Sequence, residues 1–434
     1  MKKILLSAGL CMLVTFSFAQ KKAIKDAKGA MNSKNYSEAR ELIKPALTDP
    51  ETANDPETWK IAGDIENKQF EAENMKQMLQ QQPDEKTMYT ALLALYAPYV
   101  KADELGQLPD EKGKIKNKFR KDIASIMKAN HPSYINGGVY YNNQREYSKA
   151  ADFFQTYWEI PSMAVFNDDK DKINTNDSTF QTIKYYAVIC AIQAANQTED
   201  ESVKEKETTR AITLLNRLIN EPFTYNSTYK ENEAYELLAE EYKSVGDTAK
   251  FIETLEAGAK AFPDSKYFVP NLINQYIQRG DRDKAIAYLD KAIADSPGTS
   301  CDMYSVKAAI YAEKQAFAIA DETYNKALQN DPNCERALEG LAVSYILQAQ
   351  NLKEQASSIS VAKDRAALDD QAKGFYNKAM PLLEKYKEAL LARNADASDL
   401  KAMYVKLQNV YYNLDMNDKY EEANKELEKY KSEY

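Results

Sequence analysis

Pro263, Pro297 and Pro332 stand 34 and 35 residues apart, and the residues between them repeat in character, position by position. With each proline as position 32, position 4 holds Tyr235, Val269 and Tyr304, position 8 Ala239, Ile273 and Ala308, and position 11 Tyr242, Tyr276 and Tyr311. Position 20 holds Phe251, Ala285 and Ala320, position 24 Leu255, Leu289 and Tyr324, and position 27 Gly258, Ala292 and Ala327. A fixed period of this kind marks a repeat array. Positions 4, 8 and 11 share one face of a first helix, and 20, 24 and 27 one face of a second. Small side chains at 8, 20 and 27 let the two helices approach, and the large residues fill the space toward the next pair. Proline at 32 ends the second helix, since it has no N–H to donate. A single pair leaves an apolar flank in water, so only stacking buries it.

Large residues at 4, 11 and 24 with mostly small ones at 8, 20 and 27 resemble the tetratricopeptide repeat. The resemblance is strongest over 232–345, and looser copies lie over 20–65, 131–161 and 396–434. Trp59 with Ala62 and Gly63 marks one copy, and Asn35 to Leu42, with Ala39 at position 20, starts a second helix. Tyr134, Gly137, Gly138, Tyr141, Ala150, Phe154 and Tyr157 mark another, ended by Pro161; Tyr404, Leu407, Tyr411, Tyr420 and Ala423 mark the last. The resemblance implies an all-α fold, an α-solenoid of stacked antiparallel helix pairs winding into a superhelix. It divides the chain into degenerate repeats (20–130), middle repeats with polar insertions (131–231), clear repeats (232–345) and C-terminal repeats with an insertion (346–434). In the weaker zones composition predicts helices over Thr87–Glu104 and Lys114–Lys128, and over Thr179–Ala195 and Glu205–Ile219. After Tyr345 the pattern slips, with Ala379 about 25 residues late. Either both helices lengthen by about 12 residues into an arm projecting roughly 18 Å, or the insertion is a disordered loop.

Residues 1–19 read as a secretory signal peptide. Lys2 and Lys3 precede an apolar run from Ile4 to Phe18, and Ser17-Phe18-Ala19 forms a small-x-small cleavage signal. Cleavage would make the chain periplasmic or secreted. The other readings are an uncleaved anchor, for which the run is short of the roughly 20 residues a span needs, and lipidation at Cys11, which Leu10 disfavours. No later segment is apolar enough to span, so no membrane span is expected after cleavage. The formal charge of −9 becomes −11 without the two leader lysines, and no dense Lys/Arg stripe interrupts it, which argues against nucleic acid.

Past the leader stand three cysteines, Cys190, Cys301 and Cys334, with no CxxC spacing, and a single histidine, His131. That set is too poor for a thiolate or imidazole metal site, and His131, just before Pro132, is expected in a polar loop ahead of a helix. Cys301 and Cys334 begin the first helices of adjacent repeats. Such helices pack at about 8–10 Å, while disulfide Cα atoms lie within about 7 Å, so a bridge is expected only with distortion.

Arg279-Gly280-Asp281 spells an adhesion signal, but it falls at positions 14–16, where the preceding repeat has Val245-Gly246-Asp247. Glycine ends one helix and aspartate caps the next, so a turn is expected. The segment 167–177 is rich in calcium-type ligands, yet no register puts glycine sixth and glutamate twelfth. With no GxSxG and no GxxxxGK[ST], neither catalysis nor a cofactor is expected.

In the family resembled here, positions 2, 5, 9, 12 and 13 of the first helices face a concave groove that grips a protein or peptide. That implies Glu233, Glu236, Glu240, Lys243 and Ser244; Tyr267, Pro270, Asn274, Ile277 and Gln278; and Asp302, Ser305, Ala309, Ala312 and Glu313, unless these merely solvate the wall. The family's carboxylate clamp wants lysine and asparagine at 5 and 9; Glu236 and Glu240 would repel a carboxylate, so a segment with basic and apolar residues is expected. The function implied is a non-catalytic scaffold or adaptor of the periplasm or cell envelope whose partner is an envelope protein. The alternatives are a glycan-binding or nutrient-uptake component, or a hydrolase with an unrecognised site.

Overall fold

The computed structural model describes residues 20–167, 172–221, 230–295 and 301–430, and its regular structure there is helical, with no strand among the described residues. The leader lies outside them. The chain divides into two units, one up to Thr254 and one from Leu255 on.

The first unit contains α1 (20–32), α2 (Tyr36–Thr48), α3 (Pro56–Met78), α4 (Glu85–Ala94), α5 (Tyr96–Gly106), α6 (Arg120–Asn143), α7 (Tyr147–Glu159), α8 (Ser178–Gln197), α9 (Glu201–Asn220) and α10 (Glu231–Ser244). Two 3₁₀ turns, Ile160–Ser162 and Ala164–Phe166, follow α7, and α11 (Thr248–Ala261) carries the division. The second unit contains α12 (Phe268–Gln278), α13 (Arg282–Asp295), α14 (Cys301–Glu313), α15 (Phe317–Asn330), α16 (Glu335–Ser357), α17 (Ala362–Ala392), α18 (Ala397–Asn413) and α19 (Asn417–Lys429).

One turn design recurs. After α1, α3, α6, α10, α12, α14, α17 and α18 a residue takes positive φ: Lys34, Gln80, Arg145, Gly246, Gly280, Gln315, Asn394 and Asp415. Its N–H bonds the carbonyl three residues back, and the next N–H bonds the carbonyl five back, as Gly280 does to Ile277 (3.0 Å) and Asp281 to Tyr276 (2.8 Å). This is the Schellman closure that satisfies the last helical carbonyls. Arg279-Gly280-Asp281 is therefore a turn, as expected.

Successive helices pack side by side: α6 on α7, α7 on α8 and α8 on α9 in the first unit, and α14 on both α15 and α16 in the second. The small positions work as expected. A Cβ on Gly137 or Gly138 would strike the ring of Phe153 or Phe154, and one on Gly258 the ring of Phe268. Ala239, Ala285, Ala308, Ala320 and Ala327 are fully buried, and Tyr242 and Tyr276 are buried with them. Tyr311 is half-buried, with the Lys307 ammonium 5.9 Å from its ring.

Four expectations are corrected. The helix expected over Thr87–Glu104 breaks at Leu95, because Pro98 cannot donate to the carbonyl of Ala94 and its ring crowds that turn. The helix expected from Lys114 starts at Arg120, because Asn117 Oδ1 accepts the N–H groups of Phe119 and Arg120 and competes with helical hydrogen bonding there. α6 then runs through His131 and Pro132, so His131 lies inside a helix, buried, its ring stacked 3.9 Å from Tyr157. The insertion after Tyr345 is helical, so the loop reading fails, but the lengthening is unequal: α16 has 23 residues and α17 31, against 13 and 14 in α14 and α15. Its base is tied to the end of α18 by Lys353 with Asn413 (2.6 Å) and Lys373 with Asp415 (2.8 Å).

Candidate functional site

The residues expected to face a groove lie on both units, five on α10 and ten from Tyr267 through α14. On α10 the acids begin in the first turn, where Glu231 and Glu233 complement the helix dipole. Ala234, Leu238, Ala239 and Tyr242 turn inward, so Glu233, Glu236, Glu240 and Lys243, three or four residues apart, form a stripe on another face. Glu233 and Glu236 are half-buried, Glu240 and Lys243 exposed. Asn232 Nδ2 donates to Glu236 Oε1 at 2.8 Å, and Lys243 Nζ pairs with Glu240 Oε2 at 3.1 Å. The local field is negative. The Glu241 carboxyl is pushed up by its own burial and then by Glu240, and burial followed by Glu233 raises the Tyr185 phenol.

In the second unit Asn274 and Gln278 are exposed on α12, Ile277 and Tyr267 half-buried. Asp302 on α14 is exposed and pairs with Arg336 at 3.5 Å. Ser305 is not on a wall at all. It is buried, its Oγ donates to the Cys301 carbonyl (2.8 Å), and it lies 3.8 Å from Cys334 Sγ. What covers it is the unexpected bridge: Cys301 and Cys334 form a disulfide with Cα atoms 6.3 Å apart. Spacing between helix axes was the wrong measure. Cys301 is the first residue of α14 and Cys334 the N-cap of α16, so both sit at helix tips, where the chain leaves the axis.

Among the described residues no group of His, Cys, Asp and Glu could hold a metal ion. Residues 168–171 of the calcium-like segment lie outside the description. Of the rest, Asp177 caps α8 through the Phe180 N–H (2.8 Å).

Sequence reasoning missed a cleft of about 420 Å³ in the first unit. Tyr96, Val100, Asp103 and Glu104 recur at helical spacing along one face of α5, and Glu159, Ser162, Met163, Ala164 and Arg217 complete the lining. Beside it Trp158 is sandwiched. The Arg217 guanidinium lies 4.2 Å from the indole centroid and the Lys184 ammonium 5.0 Å, and the indole N–H donates to Glu221 at 2.7 Å. Glu221 also pairs with Lys184 (3.0 Å) and Arg217 (2.5 Å), which holds its carboxyl low despite burial. Desolvation in turn pulls the Lys184 ammonium down. The only local signal was a tryptophan late in a second helix; its partners come from α8 and from α9 onward, 26 to 63 residues later in the chain.

Paired helices, recurrent Schellman turns and small-on-ring packing define a tetratricopeptide-like α-solenoid protein. No protein-family model matches the chain, and no curated protein does. Solved structures similar to it include MamA MSR-1 (20% identity, covering 49% of this chain and 98% of that one, TM-score 0.30). PilW, a widely conserved type IV pilus biogenesis factor, is 18% identical over 55% of this chain and 91% of its own, with TM-score 0.32. YrrB, a TPR protein with an unusual peptide-binding site, is 16% identical over 51% and 96%, with TM-score 0.29. Likenesses this distant carry no argument about what this chain binds.

Proposed function

We propose that this chain is an exported, non-catalytic scaffold or adaptor that binds another protein of the periplasm or cell envelope through a segment rich in basic and apolar residues. The observation that carries this is the acidic stripe on α10: three glutamates and one lysine on a single face, with Glu241 beside them pushed toward protonation. A cationic segment gains from such a field, and a carboxylate is repelled. Export is supported by the leader and by the Cys301–Cys334 bridge, since structural disulfides persist in oxidising compartments and are rare in reducing ones.

The test is a crosslinking pull-down from envelope extracts with the wild-type chain and a Glu236→Lys/Glu240→Lys variant. The variant should capture the partner at least tenfold less well with its helical circular dichroism unchanged. Equal capture by both removes α10 from the interface.

A further inference from the structure

We propose that the cleft between α5 and the 3₁₀ turns after α7 is a second docking pocket, one that takes a single lysine or arginine side chain from a protein partner. The inference rests on the scaffold reading for the kind of molecule bound, but on different residues. Three features of the cleft argue for it.

Its walls fit an aliphatic stem. The Tyr96 ring, Val100 and Met163 line a space of about 420 Å³, and long cationic side chains bury their methylene stems against such surface while keeping the head group polar.

Its charges are unequal. Four charged groups line it, Asp103, Glu104, Glu159 and Arg217. Asp103 is paired from outside with Arg120 (3.1 Å), and Arg217 pairs with Glu221, a carboxylate it shares with Lys184. Glu104 has an exposed pairing with Lys101 at 3.3 Å, the kind that contributes little. Glu159 is half-buried, and the donors that hold it are neutral, the Gln155 amide at 2.7 Å and the Tyr96 hydroxyl. A carboxylate whose hydrogen-bond donors are neutral gains from a cation placed beside it. The Tyr96 ring adds a face for the incoming cation.

Its frame is rigid before anything binds. Arg120 ties Asp103 on α5 to the Ala164 carbonyl in the second 3₁₀ turn, and Arg217 is fixed between Trp158 and Glu221. A pre-organised pocket avoids the ordering cost that weakens binding.

The experiment uses the full chain labelled with ¹³C-methyl methionine, the Met163 signal being assigned with Met163→Leu. The probes are the tripeptides acetyl-Ala-Lys-Ala-amide and acetyl-Ala-norleucine-Ala-amide. The lysine peptide should shift the Met163 methyl saturably, with the norleucine peptide at least fivefold weaker. A Glu104→Gln/Glu159→Gln chain should bind the lysine peptide about tenfold more weakly. The amide that Glu159→Gln introduces can still engage Gln155 and Tyr96, so the fold has no reason to change. The Glu236→Lys/Glu240→Lys chain should respond like wild type, which separates this pocket from the α10 stripe: a partner lost at α10 leaves the Met163 shift in place. No shift, an equal shift with norleucine, unchanged affinity in the double glutamine chain, or loss of the shift in the α10 variant would each overturn the proposal.

Discussion

His131 is the chain's one histidine, and burial sets its chemistry. Its Nε2 lies 2.9 Å from the Tyr157 carbonyl oxygen, so the neutral ring donates there while its plane covers the Tyr157 ring. Desolvation lowers its pKa below the usual 6.5, outweighing the opposing pull of that carbonyl and of Asp177. The folded state therefore binds this proton less readily than the unfolded state. The stabilisation is fully present above about pH 6.5 and declines as pH falls through that value toward the folded pKa. Urea unfolding at pH 7.5 and 5.5 should show a larger loss for wild type than for His131→Gln. The variant is less stable at both pH values because it loses the ring stack, and the difference in slope is the readout. Equal slopes would mean that the imidazole is not desolvated. Nothing local announced this burial. A histidine before proline looks like loop, and only the partner helix α7, 26 residues on, explains why it is not.

At the scale of elements, the helix ends carry the account. Gly280 has φ +77°, a region that costs a residue with a Cβ about 1–2 kcal/mol. Gly280→Ala should lower the unfolding free energy by about that much, whereas Arg279→Ala, at an exposed position before it, should change it by less than about 0.5 kcal/mol. The reverse order would make Arg279 the structural residue of the triplet and reopen its reading as more than a turn. Gly246 and Gly280 made two turns legible in the sequence, but six others place lysine, glutamine, arginine, asparagine or aspartate at positive φ, and of these only asparagine and aspartate are residue types that favour it. The same asymmetry runs through the fold. Small-on-large packing at fixed period was legible because each repeat states it again. The break before Pro98, the Asn117 cap and the bridge at two helix tips occur once each, and they depend on local geometry that periodicity averages away.

At the scale of the molecule, the two units differ in what their first helices offer. α10 presents carboxylates, whereas α12 presents Asn274, Gln278 and half-buried Ile277, and α14 loses Ser305 to the disulfide. Of the fifteen residues expected to line a groove, only Ser305 is withdrawn into the interior. The long pair α16–α17 is an addition that the repeat pattern alone does not supply. Chemistry at first-helix positions is thus varied on a constant frame, as expected of a protein whose specificity lies in side chains and whose stability lies in stacking. The most direct measurement is site-specific photocrosslinking with the reactive side chain placed at position 240 on α10 and, as a control, at Lys250 on α11, in cells that express the full chain. A discrete covalent adduct is expected at 240, absent at 250, and its crosslinked segment carries a net positive charge. No adduct at 240 beyond that at 250, or an adduct to an acidic segment, would contradict this expectation.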